Sequence, residues 1–322
     1  MSGLCFWLAT RGVDWGQVAA ALGGAHPLWV VAGVGGGALA FLLRAVRWQV
    51  LLRPVQRVPL GAAFSATSIG FAATAVLPFR LGEIVRPALL GQRTGMGLTP
   101  ALSSVVVERI LDMLMVVTCA LVLSLHWTVP EWLRHATMVL AAIAFGGFGA
   151  LLLAQRFRGL ADRLLDAVLG LLPAGVGSAV RPIVDGLFAG VAGLRDGRTL
   201  LELLGLSVVL WAVNGVPFGF ALWALDVPAP FVGGSLACLV VVAAAVFLPQ
   251  APGFVGTWQV GCTAALAIFH VPDERAVAFS LLTWVIQLVT SVGLGGICLA
   301  REDLSVSDML RRPAAVPAGT EG

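Results

Sequence analysis

Apolar residues gather along the chain into eight runs, at about 27–52, 60–79, 100–125, 132–155, 200–224, 231–249, 252–270 and 276–300, with arginine-bearing connections between several of them. A helix needs about 20 apolar residues to cross the hydrocarbon core of a bilayer, and the runs are of that order. In lipid every backbone polar group must find its partner inside the chain, which leaves the helix as the natural form for such runs. The pattern predicts an all-α, polytopic transmembrane helix bundle. Between 156 and 198 the character changes, and "QRFRGLADRLLDAVLG" sets Leu160, Leu164, Leu165 and Val168 at helical spacing among charges. That is the pattern of an amphipathic helix lying on the membrane surface. It divides a single integral membrane domain, 1–300, into a first half at about 15–155 and a second at 199–300. Residues 301–322 are charged and then rich in Pro, Gly and Ala, so a disordered tail is expected. The N-terminal segment is apolar only from Leu4 to Ala9 and has no basic region before it. It is too short to span and is not read as a signal peptide, while its reading as the end of a longer first helix stays open.

Composition sharpens this picture. Of 322 residues, 59% are apolar and only 11% charged, with a mean hydropathy of +0.95. A soluble protein carries roughly 25% charged residues, so a water-soluble domain is excluded. The net charge is +3 and all twenty basic residues are arginine, with no basic stripe interleaved with aromatics, so nucleic acid is not an expected partner. Five scattered cysteines form no CxxC pair, and four histidines form no HExxH or HxxxH pair. Neither a disulfide framework nor a metal site is expected. Trp29, Trp127, Trp132 and Trp223 stand near the ends of apolar runs, where an indole anchors a helix at the membrane interface.

Loops on the cytoplasmic side of a membrane hold the excess of basic residues. Arg44, Arg47, Arg53 and Arg57 form one group; Arg80, Arg86 and Arg93 a second; the connector holds six and the tail three, which accounts for sixteen of the twenty arginines. All four regions are therefore assigned to the cytoplasmic side, with the C-terminus there too. The run at 60–79 then begins and ends on the same side, which a re-entrant hairpin resolves. Irregular backbone at membrane depth is tolerated only where it is buried in protein or lines a wet cavity, so the break marks a candidate site.

A weak internal repeat supports the same point. The break "VLPFRLGEIVRP" and the later "FLPQAPGFVGTW" both end an apolar run in Leu-Pro, with Gly four residues after the proline. Pro78 and Gly82 thus correspond to Pro249 and Gly253, and further on Glu108 and Arg109 fall opposite Thr283 and Trp284. If the first helix of each half runs in opposite directions, the halves form two inverted repeats, each with a broken or re-entrant helix. For 231–270, a re-entrant hairpin and two full spans both keep the C-terminus inside, so the arginine count leaves both open. Prolines and glycines also occur in ordinary transmembrane helices, where they kink and pack.

Charge within apolar segments is costly, so such residues face a cavity or one another. Six stand out: Arg80, Glu83, Arg86, Glu108, Arg109 and Asp112, three of each sign. Glu83 and Arg86, and Arg109 and Asp112, are spaced i, i+3, and Glu108 and Asp112 i, i+4, so each pair meets on one helix face. One reading is an ion-pair cluster that only locks the hairpin to the following helix. The functional reading gives the arginines as guanidinium forks for a phosphate head group, with the carboxylates holding them or exchanging protons. Asn214, Gln250, Gln259, Gln287 and Thr283, and Ser65, Thr67 and Ser68, either line a cavity or bond between helices. No nucleophile elbow, SxxK or Walker motif is present, and no cofactor is expected.

The stretch "LPFRLGEIVRPALLGQRTGMGLTPALSSVVVERILDML", with its P-x-R-x-G-E-x-x-R core and later E-R-x-x-D, resembles the flippase-like membrane domain of lysylphosphatidylglycerol synthases. "LPQAPGFVGTWQ" resembles that family's second signature, and the similarity runs from about 15 to 300. Gln259 stands where the family usually has Glu, so a second charged site is not carried over. The resemblance implies movement of a lipid or lipid-linked head group across the cytoplasmic membrane of a bacterium, and falls on Pro78, Arg80, Gly82, Glu83, Arg86, Glu108, Arg109 and Asp112. A full synthase also carries a soluble aminoacyl-transfer domain; only a short tail follows the last helix here, so lysyl transfer is not expected. The expectation is a lipid transporter and not an enzyme, with a membrane lipid as its partner. Two alternatives stand beside it: an intramembrane head-group transferase using Glu83, Glu108 or Asp112 as base, and a non-catalytic partner of an envelope-biosynthesis enzyme.

Overall fold

The computed structural model describes residues 2–77, 80–170, 196–246 and 252–302. Pro78, Pro249 and Gln250, most of the connector and the tail beyond 302 lie outside the described residues. Among the described residues the chain is all-α. The helices are α1 (Ser2–Thr10), α2 (Trp15–Gly23), α3 (Pro27–Leu52), α4 (Leu60–Val76), α5 (Gly82–Thr94), α6 (Leu98–His126), α7 (Glu131–Arg156), α8 (Arg158–Gly170), α9 (Gly197–Ala224), α10 (Phe231–Val246), α11 (Thr257–Ala267) and α12 (Asp273–Ala300), with a 3₁₀ turn at Pro252–Phe254.

Local chemistry sets the helix ends. Pro27 opens α3, where its missing N–H costs nothing. Asp196 caps α9, accepting from the N–H groups of Arg198 and Thr199 at 3.3 and 3.2 Å. The Thr199 hydroxyl and these amides hold the Asp196 carboxyl below its usual range. Gly95 closes α5 in the left-handed conformation that favours glycine (φ 69°).

Four helices among the described residues are long and apolar enough to cross a membrane: α3, most of α7, α9 and α12. At 29 residues α6 has the length too, but carries Glu108, Arg109 and Asp112 in its interior. The remaining apolar helices are short. At about 1.5 Å per residue, α4 and α5 reach about 26 and 20 Å, and α10 and α11 about 24 and 17 Å, against a hydrocarbon core of about 30 Å. Each pair packs arm against arm, but the first hairpin is not confined to the 60–79 run: α4 takes up most of that run as one helix, and α5, beyond it, is the second arm.

The first hairpin closes on two glycines. A Cβ on Gly82 would lie 1.9 Å from the Gly70 carbonyl oxygen, and one on Gly70 would lie 2.6 Å from Arg86 Cβ, so only hydrogen fits at this crossing. Both breaks hold a side-chain-bearing residue at positive φ, Arg80 at 55° and Phe254 at 60°. Such backbone costs about 1–3 kcal/mol and persists only where its surroundings enforce it.

The two halves share an element order: long helix, short pair, long helix. Their packing is exchanged, for α4 lies against α12 while α10 lies against α6, and α3 and α9 pack along their length. Arg109 reaches Glu83 of the first hairpin at 3.8 Å, and Trp284 Nε1 donates to the Gly253 carbonyl of the second at 2.6 Å. Glu108 accepts from Arg86 at 2.8 Å, and Thr283 Oγ1 accepts from Trp258 Nε1 at 3.1 Å.

Candidate lipid head-group site

A cavity of about 220 Å³ opens where the first hairpin faces α6, α9, α10 and α12. Arg44, Arg80, Glu83, Arg86, Arg109 and Asp112 line one part of it. Trp211, Asn214, Phe218 and Gln287 contribute from the second half, and Leu239, Val242, Ala243 and Val246 form an apolar strip along α10. Gly82 also borders it, because the tight crossing with Gly70 brings the start of α5, and with it Glu83 and Arg86, against α6.

The charged side chains form a continuous network. Glu108, almost wholly buried, lies within 2.8 Å of Arg86, 3.3 Å of Arg47 and 3.4 Å of Arg44. Asp112 accepts from Arg47 Nη2 at 2.7 Å and Trp211 Nε1 at 3.1 Å, and stands 3.5 Å from Arg44 and 3.6 Å from Arg109. Glu83 is shared between Arg80 at 3.6 Å and Arg109 at 3.8 Å. Arg86 also lies over the Trp48 ring, 3.9 Å from its centroid, and Arg44 over Phe71 at 4.8 Å.

Arg44 and Arg47, grouped from the sequence with the cytoplasmic loop arginines, instead sit inside α3 and face the cluster. This corrects the charge balance read from sequence. Five guanidinium groups against three carboxylates leave two positive charges, where three against three had suggested none. The missed signal is present in the sequence: two arginines spaced i, i+3 within an otherwise apolar 26-residue helix. Arg47 is 1% exposed, and its Nη1 donates to Ser207 on α9 at 3.1 Å, which ties the second half to the cluster.

Several buried donors are left over. Nε and Nη2 of Arg86, Nε of Arg80 and Nε of Arg109 make no hydrogen bond, although shielded from solvent. Buried polar groups are normally paired, so these guanidinium N–H groups, carried by three residues that line the cavity, are exceptions.

Other residues singled out in the sequence are placed differently from one another. Asn214 and Gln287 line the cavity, and with Thr283 also line an adjoining recess of about 70 Å³. Gln259 does neither: it is buried and its Oε1 accepts from the Gly256 N–H at 2.7 Å, capping α11. Ser65 donates to Glu302, which also pairs with Arg93, away from the cavity. Pro78, Pro249 and Gln250 lie outside the described residues, while Gly253 adopts φ 72° and offers its carbonyl to Trp284. Among the described residues no three of His, Cys, Asp and Glu stand close enough to hold a metal ion.

Residues 1–295 match the family described as the lysylphosphatidylglycerol synthase TM region. The glycosyltransferase AglD of Haloferax volcanii is 26% identical over 323 residues, taking in 90% of this chain and 51% of that protein. The chain therefore spans about half the length of the curated relative it matches. This relative overturns the expectation that the chain is not an enzyme, since the protein it matches across nearly its whole length bears an enzyme's name. The apolar helices and the matching family make this an integral membrane protein with a membrane-lipid-related function. With 1–295 matched, most of the chain and every residue of the arginine and carboxylate network fall within the match, and the protein belongs to the lysylphosphatidylglycerol synthase transmembrane-region family.

Proposed function

We propose that the chamber receives the phosphate of a membrane lipid or lipid-linked substrate and that the protein moves this head group across the bilayer. The carrying observation is the surplus of two guanidinium charges on residues around the cavity, three of which, Arg80, Arg86 and Arg109, line it and keep N–H groups without a hydrogen bond. Glu83, Glu108 and Asp112 keep the arginines from standing as uncompensated buried charges, which would cost several kcal/mol each. An arriving phosphate offsets what remains and accepts from the free guanidinium edges, bonds that gain strength where water is excluded. The α10 strip of Leu239, Val242, Ala243 and Val246 accommodates the acyl or prenyl chain. Because the wall is built from both halves, a rocking of one half against the other, as inverted-repeat transporters use, would open the same site to either leaflet.

The relative's name favours a second reading, in which the bound lipid is donor or acceptor in a glycosyl transfer and Glu83, about one-third exposed at the cavity, is the base. Both readings place lipid phosphate on the arginines. They separate in proteoliposomes: dithionite quenching of a fluorescent phospholipid reports movement between leaflets, and release or uptake of a labelled sugar on the lipid reports transfer. Arg80→Gln and Arg109→Gln should slow the first at unchanged folding. Wild-type movement rates in both variants would overturn the site.

A further inference from the structure

We infer that Glu83 is the gate of the chamber: an arriving phosphate takes Arg80 and Arg109 from it, and Glu83 takes them back as the phosphate leaves. This rests on the head-group reading above and adds to it the step that admits and releases the lipid. The charged network has two tiers. In the inner tier Arg86 meets Glu108 at 2.8 Å and Arg47 meets Asp112 at 2.7 Å, between side chains no more than 7% exposed. In the outer tier Glu83 stands 3.6 Å from Arg80 and 3.8 Å from Arg109, both beyond hydrogen-bond length, and all three side chains are about one-third exposed.

Only the outer tier can exchange partners at little cost. Ion pairs this long and this exposed contribute little, whereas drawing Glu108 or Asp112 from its arginines would leave an uncompensated charge in a sealed place. The same difference sets the order of arrival. Arg80, Glu83 and Arg109 all line the cavity, and their exposure makes them the charged groups a head group meets first. A phosphate can take both guanidinium groups in short, charge-assisted hydrogen bonds, while Glu83 reaches neither at that length. Arg109 keeps Asp112 at 3.6 Å through the exchange, but Arg80 pairs with no other carboxylate among the described residues and passes between Glu83 and the phosphate. Because Glu83 lies in the first turn of α5 and Arg109 in α6, the exchange undoes the outer bridge between hairpin and helix, and the pair of Arg86 and Glu108 still holds the two together.

The test uses the purified full chain in neutral nanodiscs doped with increasing phosphatidic acid, whose head group is the phosphate alone, and bound lipid is counted by native mass spectrometry. Glu83→Gln should retain phosphatidic acid roughly tenfold more tightly than wild type, a difference of about one decade in affinity, because the phosphate no longer competes with a carboxylate for two arginines. Glu83→Asp keeps the charge but shortens the reach, and should fall between the two. In proteoliposomes both variants should move fluorescent phosphatidic acid between leaflets more slowly than wild type, because release has lost its competitor. Tighter binding with slower movement is a split that a merely structural role would not produce. An aspartate variant that binds as wild type does, beside a tighter glutamine variant, would reduce Glu83 to its charge and overturn the exchange. Tighter binding without slower movement overturns the release step. Weaker or unchanged binding in both variants overturns the gate and leaves the phosphate site standing, provided wild type retains the lipid. Failure of wild type to retain phosphatidic acid overturns the phosphate site itself. Glu83→Asp decides the matter if Glu83→Gln does not fold.

Discussion

Arg47 Nη2 and Asp112 Oδ1 meet at 2.7 Å across 65 residues of sequence, with both side chains almost wholly shielded. Arg47 also donates to Ser207 and Asp112 accepts from Trp211, so this one pair fastens α3, α6 and α9. Removing one partner leaves the other as an uncompensated buried charge. Asp112→Ala should lower stability by about 3–5 kcal/mol, and the paired Arg47→Met, Asp112→Leu replacement should recover most of that loss. Thermal unfolding in detergent reads both, and a single variant that melts like wild type would show that the pair does not hold these helices.

The hairpin crossing offers a steric test. Gly82→Ala sets a methyl group 1.9 Å from the Gly70 carbonyl oxygen, so the arms must part, at a cost of at least about 1–3 kcal/mol. Gly147→Ala on α7, where a Cβ meets nothing within 4 Å, should instead stabilise by about 0.5–1 kcal/mol through helix propensity. The two variants have opposite signs for the same chemical change, and melting curves compare them directly.

Arg80 combines strain with charge. At φ 55° its backbone pays for a conformation that glycine adopts freely. Arg80→Gly should therefore raise stability by about 1 kcal/mol while slowing lipid movement, because a guanidinium leaves the chamber. Stability and activity moving together, in either direction, would contradict the assignment of both roles to this residue.

Gln259 separates structure from function in the second signature. Its amide caps α11 and does not line the cavity. Gln259→Leu should cost about 1–2 kcal/mol from the orphaned Gly256 N–H. Phosphatidic acid retention per folded molecule should stay at the wild-type level, and its loss would place Gln259 in the binding site.

Much of this protein is legible one residue at a time. A run of apolar residues reports a helix because lipid forbids unpaired backbone, and the expected 27–52 and 200–224 runs reappear as α3 and α9 with little change at their ends. The charges of P-x-R-x-G-E-x-x-R and E-R-x-x-D declare themselves because ionised groups are so costly among such neighbours. Arg44 and Arg47 did not declare themselves. An arginine near the end of an apolar helix reads the same whether it faces a cytoplasmic surface or a buried carboxylate, and only the packing of α3 on α6 and α9 decides between them. The sign of the site followed from that packing. Neutral by composition of its motifs, it carries two surplus positive charges once tertiary contacts bring a third segment to it, because charge balance belongs to a volume of space and not to a stretch of chain.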